Sequence, residues 1–394
     1  PRSADLIGGV ARSGLTGRGG AAFPLATKMR TVAASTGRSV VVVNAAESEP
    51  ASEKDACLAE RAPQLVLDGA EAAAQAVGAR DVVLWVHRGA VAARESLAAA
   101  LAERRAAGLG PRRPRVVAGP DRYVAGEASA VVHHLSGGPA LPTMSPHRTA
   151  ERGVRGRPTL LANAETFAHV ALVARHGPDW FRSAGTADEP GTMLATVRGA
   201  VRRPGVVEVE VGTPLVDVLE RAGGATEALS ALLLGGYGGT WLSHEAARSA
   251  RLSRADLGPL GVDLGVGLVL AFPATRCPLA ETERLVGWLA AESAGQCGPC
   301  VNGLPALAAD VTALVTGREG PAALARLRRR ADLVSGRGAC HHPDGTARLA
   351  LSAVRVFDEH LAAHARAGRC PDLAASPVAP LPPHHPVAGA EVWR

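Results

Sequence analysis

VVVVNAAESEP, Val40 to Pro50, opens with four consecutive valines and closes on polar residues and proline. An unbroken β-branched run of that length reads as a strand buried on both faces, as parallel sheets require. PQLVLDGAEAAAQAVGA, 63–79, has the spacing of an amphipathic helix, and DVVLWVHRG, 81–89, reads as a second strand leading into an alanine-rich helix. Strand and helix in alternation predict an α/β region over residues 1–180 built on a parallel sheet.

Upstream lies GRGGAAFPLATKMR, Gly17 to Arg30. Closely spaced glycines let backbone N–H groups approach an anion, and Arg18 and Lys28 supply positive charge, so the loop suits a phosphate. A surface turn is the plainer reading of the same residues. Gly17, Gly19 and Ala22 fit G-x-G-x-x-A, but LIGGVARSGLT before them looks like a helix and turn. A dinucleotide fingerprint needs a buried strand there and is rejected in its standard form.

Downstream the composition shifts. Residues 190–273 offer the short β-rich runs TMLATVRG, GVVEVEVG and LGVGLVLAF around the helix-like TPLVDVLERAGG and a GGYGG turn, which predicts a small mixed sheet with one helix. Over 277–368 apolar residues recur at helical spacing in four segments, which predicts a four-helix bundle. The proline-rich tail, 369–394, is expected to be disordered.

The chain has 394 residues, enough for two or three domains, and no stretch approaches the length of an apolar membrane span. The start carries neither an export signal nor an initiator methionine and reads as trimmed or partial. Net charge is +6, but the arginines are dispersed and aromatics make up only 3%, which argues against a base-stacking nucleic-acid surface. Cys57, Cys277 and Cys370 stand alone in sequence, whereas Cys297 and Cys300 form Cys-Gly-Pro-Cys and Cys340 precedes the last predicted helix. Folding of the bundle would bring these three thiols together. Their spacing leaves an iron–sulfur cluster, a zinc site and incidental thiols open.

GRGGAAFPLATK, VVNAAESEPASEKD, YVAGEASAVV, GRPTLLANAET and ESAGQCGPC, followed by a distal cysteine, occur in this order. In order and spacing they resemble the NADH-binding flavoprotein component of respiratory complex I and related NADH dehydrogenases and hydrogenase diaphorases. The resemblance spans about residues 16–361. It implies an FMN-binding Rossmann-like α/β domain, a β-grasp domain of the soluble-ligand-binding (SLBB) type and a helical domain holding one [4Fe–4S] cluster. It also implies that Gly17, Arg18, Gly19, Gly20 and Lys28 cradle the FMN phosphate and adjoining groups. Phe23, Asn44, Glu47, Tyr123, Gly126, Glu127, Asn163 and Thr166 would line the flavin and dinucleotide, with Glu47 and Glu127 as the catalytic carboxylates. Cys297, Cys300 and Cys340 would bind the cluster.

Departures from the family pattern cluster. Thr31 and Arg148 stand where aromatic residues are expected, and Ala46 and Ala128 replace carboxylates. Two lost stacking partners weaken dinucleotide binding, each aromatic pair being worth about 0.5–1.5 kcal/mol beyond burial, so NAD(H) binding is doubtful. Ala294 replaces the first cysteine of the cluster motif, leaving a [4Fe–4S] cluster with a foreign fourth ligand, a [3Fe–4S] cluster or an empty site. Cys277 is a whole predicted helix away and is not expected to substitute. The leading expectation is an electron-transfer oxidoreductase in which FMN takes electrons from NADH or another donor and a cluster passes them to a ferredoxin-like or complex I-like partner. The alternatives are an FMN-only protein and a non-catalytic scaffold. A cytoplasmic location, peripheral to the membrane through a partner, is expected.

Overall fold

The computed structural model describes residues 3–394 except 111, 113, 369, 371, 372, 375 and 383–389. Its N-terminal part runs α1 (Ser3–Ser13), α2 (Leu25–Ala33), β1 (Val40–Asn44), α3 (Lys54–Arg61), α4 (Pro63–Ala76), β2 (Asp81–His87), α5 (Val91–Ala106), β3 (Arg115–Gly119), α6 (Ala128–Leu135), β4 (Thr159–Asn163), α7 (Ala164–His176) and α8 (Pro178–Arg182). The four strands form one parallel sheet in the order β3-β2-β1-β4. The valines of β1 are fully buried, Val41 and Val43 in the core under α4 and α7, Val40 and Val42 in the one under α6. Each such side chain contributes about 1.5–3 kcal/mol, which explains a strand with no polar alternation.

The strand order has a functional consequence. From β1 the chain moves outward through β2 to β3 and then returns to place β4 on the other side of β1. A crevice opens beyond the carboxyl ends of β1 and β4, the switch point at which open α/β sheets bind ligands. Asn44 and Asn163 are register partners at that edge.

The second part contains β5 (Thr192–Gly199), β6 (Gly205–Glu210), α9 (Leu215–Arg221), β7 (Leu229–Leu234), β8 (Thr240–Ser243), α10 (His244–Ser249), α11 (Arg254–Leu257) and β9 (Leu268–Pro273). Its sheet is mixed, in the order β6-β5-β9-β7-β8, with β5 and β9 parallel and the other pairs antiparallel. One face packs on α9 and the other faces the helices that follow.

Those helices are α12 (Pro278–Ala291), α13 (Leu304–Val315), α14 (Gly320–Val334), α15 (His342–Val356) and α16 (Asp358–Ala367). The fourth predicted helix is therefore two, broken at Phe357, whose non-helical backbone (φ −115°, ψ 41°) turns the chain while its ring packs on Trp241. The tail also departs from expectation where it is described. Ala379 donates to Glu281, Tyr237 Oη to the Pro380 carbonyl, and Ala140 to the Trp393 carbonyl, with Trp393 buried. Proline composition says nothing about such backbone acceptors and is misleading here.

Candidate flavin and cluster site

The glycine loop between α1 and α2 crosses the switch-point crevice. Its Arg18 N–H donates to Thr166 Oγ1 on α7 at 2.9 Å, so Thr166, fully buried, anchors the loop from beneath. A Cβ on Gly19 would lie 3.3 Å from the Asn163 Cβ, and Gly20 has φ +99°, a conformation that favours glycine. Gly17, Gly19, Phe23, Lys28, Asn44, Glu47, Gly126, Glu127 and Asn163 line one cavity of about 300 Å³. Gly20 and Tyr123 instead line the adjoining cavity. Arg18 turns a guanidinium N–H toward the Pro190 carbonyl, at 3.3 Å, and its buried Nε has no hydrogen-bond partner among the described residues.

Several predicted site residues are first of all braces. Asn44 Nδ2 donates to the Gly126 carbonyl at 2.8 Å, joining the end of β1 to the 123–127 segment. One oxygen of Glu127 caps α6, accepting from the Ser129 and Ala130 amides at 2.8 and 3.2 Å and from the Ser129 hydroxyl. Asn163 caps α7 through the Glu165 amide at 3.1 Å and donates to Asp55 at 2.7 Å.

Beneath the cavity lies a charge cluster that sequence reasoning missed. Lys54, 1% exposed, pairs with Asp55 and Glu165 at 3.1 Å each and donates to Asn163 Oδ1 at 2.8 Å. Burial works against its charge, but the carboxylates outweigh it and hold it protonated. Burial alone would raise Glu165; Lys54, His169 and Arg18 instead bring it down to about 2. Glu47 accepts the Asp55 amide at 2.7 Å; burial, with Asp55 adding, pushes its carboxyl up to about 7. Burial pushes Glu49 up to about 8 despite hydrogen bonds from the Tyr237 amide and Tyr123 hydroxyl at 3.0 and 3.2 Å. In sequence Glu53-Lys54-Asp55 looks like a solvated run, and only the fold buries Lys54 and Asp55 while leaving Glu53 exposed.

The residues present suit an anionic, planar ligand. Glycines leave the loop side open, Lys28 stands on the wall with its ammonium 5.7 Å from the Phe23 ring centre, and Asn44 and Asn163 close the floor. Burial lowers the Lys28 ammonium from its usual value, so an anion at this wall would favour its charged form. Arg148 also approaches Phe23, its guanidinium carbon 6.0 Å from the ring centre, and Ala46 and Ala128 line the cavity where carboxylates were expected.

The adjoining cavity, of about 610 Å³, shares Gly19, Glu49, Glu127 and Val266 with the first and reaches Cys340 and His342. Cys300 stands in a wide π-type turn, Pro299–Gly303, that leads into α13, and Cys340 just before α15. Both are buried and close to helix N-termini, and burial outweighs the helix ends in keeping them as thiols. Burial pushes the Cys340 thiol up to about 12, with Glu127, Cys300 and Cys297 adding, and burial likewise raises the Cys300 thiol, with Cys297 adding. The three predicted cysteines thus share one neighbourhood. Ala294 is buried against Val124 and Trp393 and offers no ligand. Three thiols are donors of the kind an iron–sulfur cluster takes, and Cys277 stands at the other end of α12 from them. Glu292, beside this motif, accepts from Arg122 Nε at 3.1 Å and the Tyr123 amide at 3.0 Å, tying the cluster segment to the flavin-side segment.

Three segments of the chain match known domain families. Residues 10–172 match the Nuo51 FMN-binding domain, residues 194–238 the SLBB domain, and residues 280–364 the NADH-ubiquinone oxidoreductase-F iron-sulfur binding region. The chain is similar to the F subunit of NADH-quinone oxidoreductase from Mycobacterium tuberculosis (strain ATCC 25618 / H37Rv), with 33% identity over 93% of this chain and 86% of that one. The protein of the same name from Escherichia coli (strain K12) is 29% identical over 91% and 84%. Among solved structures, the NAD+-reducing [NiFe]-hydrogenase in its air-oxidized state superposes with a TM-score of 0.84 at 28% identity; the match covers 98% of this chain but 65% of that one. With a glycine loop at the switch point of its sheet and these matches along nearly its whole length, the chain belongs to the family of NADH-quinone oxidoreductase F subunits.

Proposed function

We propose that this chain is a flavin and iron–sulfur oxidoreductase that takes electrons from NADH and passes them through a cluster to a partner protein. The observation that carries the reading is the pair of adjoining cavities, one at the switch point under the glycine loop and one reaching Cys340, with Glu127 on both walls. FMN, when bound, supplies two-electron acceptance and one-electron release. Gly17, Arg18, Gly19, Gly20 and Lys28 would hold its phosphate end, and Phe23, Asn44, Glu47, Tyr123, Gly126, Glu127, Asn163 and Thr166 would shape the remainder. Glu47, whose carboxyl burial pushes up to about 7, is suited to hold or release a proton. Lys54 keeps the floor charged, and Tyr123, edge-on to Trp288 at 5.3 Å and 5.2 Å from the His342 ring, stands on the wall of the second cavity.

The finer organisation belongs to the same proposal: units over 1–180, 190–273 and 277–368, the last a bundle around Cys297, Cys300 and Cys340, and peripheral association with a membrane through the partner. No helix of the described residues is long and apolar enough to cross a membrane. Ala294 favours a second reading, flavin chemistry without a complete four-iron cluster. Titration of the purified chain with FMN, followed by flavin fluorescence, tests the proposal. Saturable quenching at one flavin per chain is expected, and unquenched flavin at every concentration would overturn it.

A further inference from the structure

Cys277 and Cys370, isolated in sequence, meet in space. Their Sγ atoms are 3.3 Å apart, and His364 Nε2 lies 3.2 Å from the first and 3.1 Å from the second. All three side chains are buried, with ligand atoms within 4.8 Å of one another. One turn earlier on α16, His360 brings Nδ1 to 3.1 Å from Cys370 Sγ. His364 Nδ1 is engaged by the Val315 carbonyl, which places its proton on Nδ1 and leaves the Nε2 lone pair facing both sulfurs. Cys277 caps α12, with the Ala280 amide 3.4 Å from its sulfur.

We propose that Cys277, His360, His364 and Cys370 bind one structural zinc ion, distinct from the cluster of Cys297, Cys300 and Cys340. Two thiolates and two imidazoles form a closed tetrahedral donor set, the His-x-x-x-His spacing places both rings on one helix face, and two thiolates neutralise Zn2+ in this largely buried position. Zinc bonds of about 2.0–2.3 Å set tetrahedral edges of roughly 3.3–3.8 Å, so Cys277 Sγ, Cys370 Sγ and His364 Nε2, at 3.1–3.3 Å from one another, need separate only by a few tenths of an ångström, while His360, beside Cys370 alone, turns its ring inward to complete the set. The two sites share no ligand and lie at opposite ends of α12, a fourteen-residue helix about 20 Å long. Binding releases the thiol protons and clips two cysteines 93 positions apart. It fixes the start of the tail, where Ala374 exchanges hydrogen bonds with Cys277 and Thr275 at 3.0 and 3.2 Å.

Elemental analysis of the intact protein, purified without chelator and reconstituted anaerobically with iron and sulfide, tests this. About one zinc per chain is expected. Cys370→Ser and His364→Ala are expected to lose at least tenfold of it while keeping iron, and Cys340→Ser to lose iron while keeping zinc. X-ray absorption at the zinc edge of the unmutated protein gives a readout that does not depend on variant folding, with two sulfur and two nitrogen neighbours expected. Absence of zinc, a Cys277–Cys370 disulfide in its place, or a shell without sulfur would overturn the proposal.

Discussion

Asn163 donates from Nδ2 to the carbonyl of Asn44 at 3.4 Å, across the paired ends of two parallel strands. This contact closes the floor of the switch-point crevice, and the glycine loop closes its roof.

The roof is tight. A Cβ on Gly19 would already sit 3.3 Å from the Asn163 Cβ, so Gly19→Val has to push the loop or Asn163 out of place. Overpacking of this kind costs about 1–3 kcal/mol, roughly a five- to hundredfold loss in FMN affinity. Fluorescence titration of the variant measures it, and affinity equal to the parent would mean that the loop does not approach the flavin.

Lys54 is the linchpin of the floor. Lys54→Met leaves Asp55 and Glu165 buried beside each other without their cation. Breaking a buried pair in this way costs about 3–5 kcal/mol. Thermal unfolding should shift down by several degrees, with flavin lost in parallel.

The contribution of Glu49 to the stability of the flavin-free protein should fall as pH rises from about 5 to 8, while His342, which burial brings down to about 4, acts oppositely below about 6.5. Burial raises Glu49 from 4.5 to about 8, so between those values the folded chain holds a proton that the unfolded chain has released. Glu47, raised to about 7, acts with the same sign. Glu165, lowered to about 2, acts oppositely, its contribution being lost as pH falls from about 4.5 toward 2. Glu49→Gln should flatten the neutral-side slope while still accepting the Tyr237 and Tyr123 hydrogen bonds. An unchanged melting profile from pH 5 to 8 in this variant would refute the assignment.

Reduction by NADH should require higher concentrations than in a relative that keeps aromatic residues at the positions of Thr31 and Arg148. Arg148→Phe, restoring one ring beside Phe23, should lower the half-saturating NADH concentration by roughly two- to tenfold on the scale of one aromatic pair. Stopped-flow bleaching of the flavin measures it. Rapid bleaching of the unaltered protein at micromolar NADH would show that these substitutions leave the dinucleotide site intact.

Much of this architecture is legible in the chain. The Val40–Val43 run and the alternation after it specify a parallel sheet, because strands buried on both faces cannot alternate polar residues. Glycine and cysteine spacings mark the loop and the cluster neighbourhood. Lys54, Glu49 and Glu292 escape sequence reasoning because a charged residue's burial depends on partners from distant elements, Glu165, Tyr237 and Arg122 respectively. Cys277 and Cys370 escape it because they meet only after the helices fold; His360, His364 and Cys370, close together in one stretch, were the available signal. The tail misleads because its proline content hides backbone acceptors and Trp393, whose ring lies 4.6 Å from the Arg122 guanidinium.

The visible spectrum of the anaerobically reconstituted chain, recorded before and after NADH, bears most directly on the claim that one chain places a flavin beside an iron–sulfur centre. Flavin bands on a broad iron–sulfur shoulder are expected, both bleached by NADH, with the shoulder lost in Cys340→Ser and the flavin bands retained. A colourless protein, or a shoulder unchanged in Cys340→Ser, would contradict it.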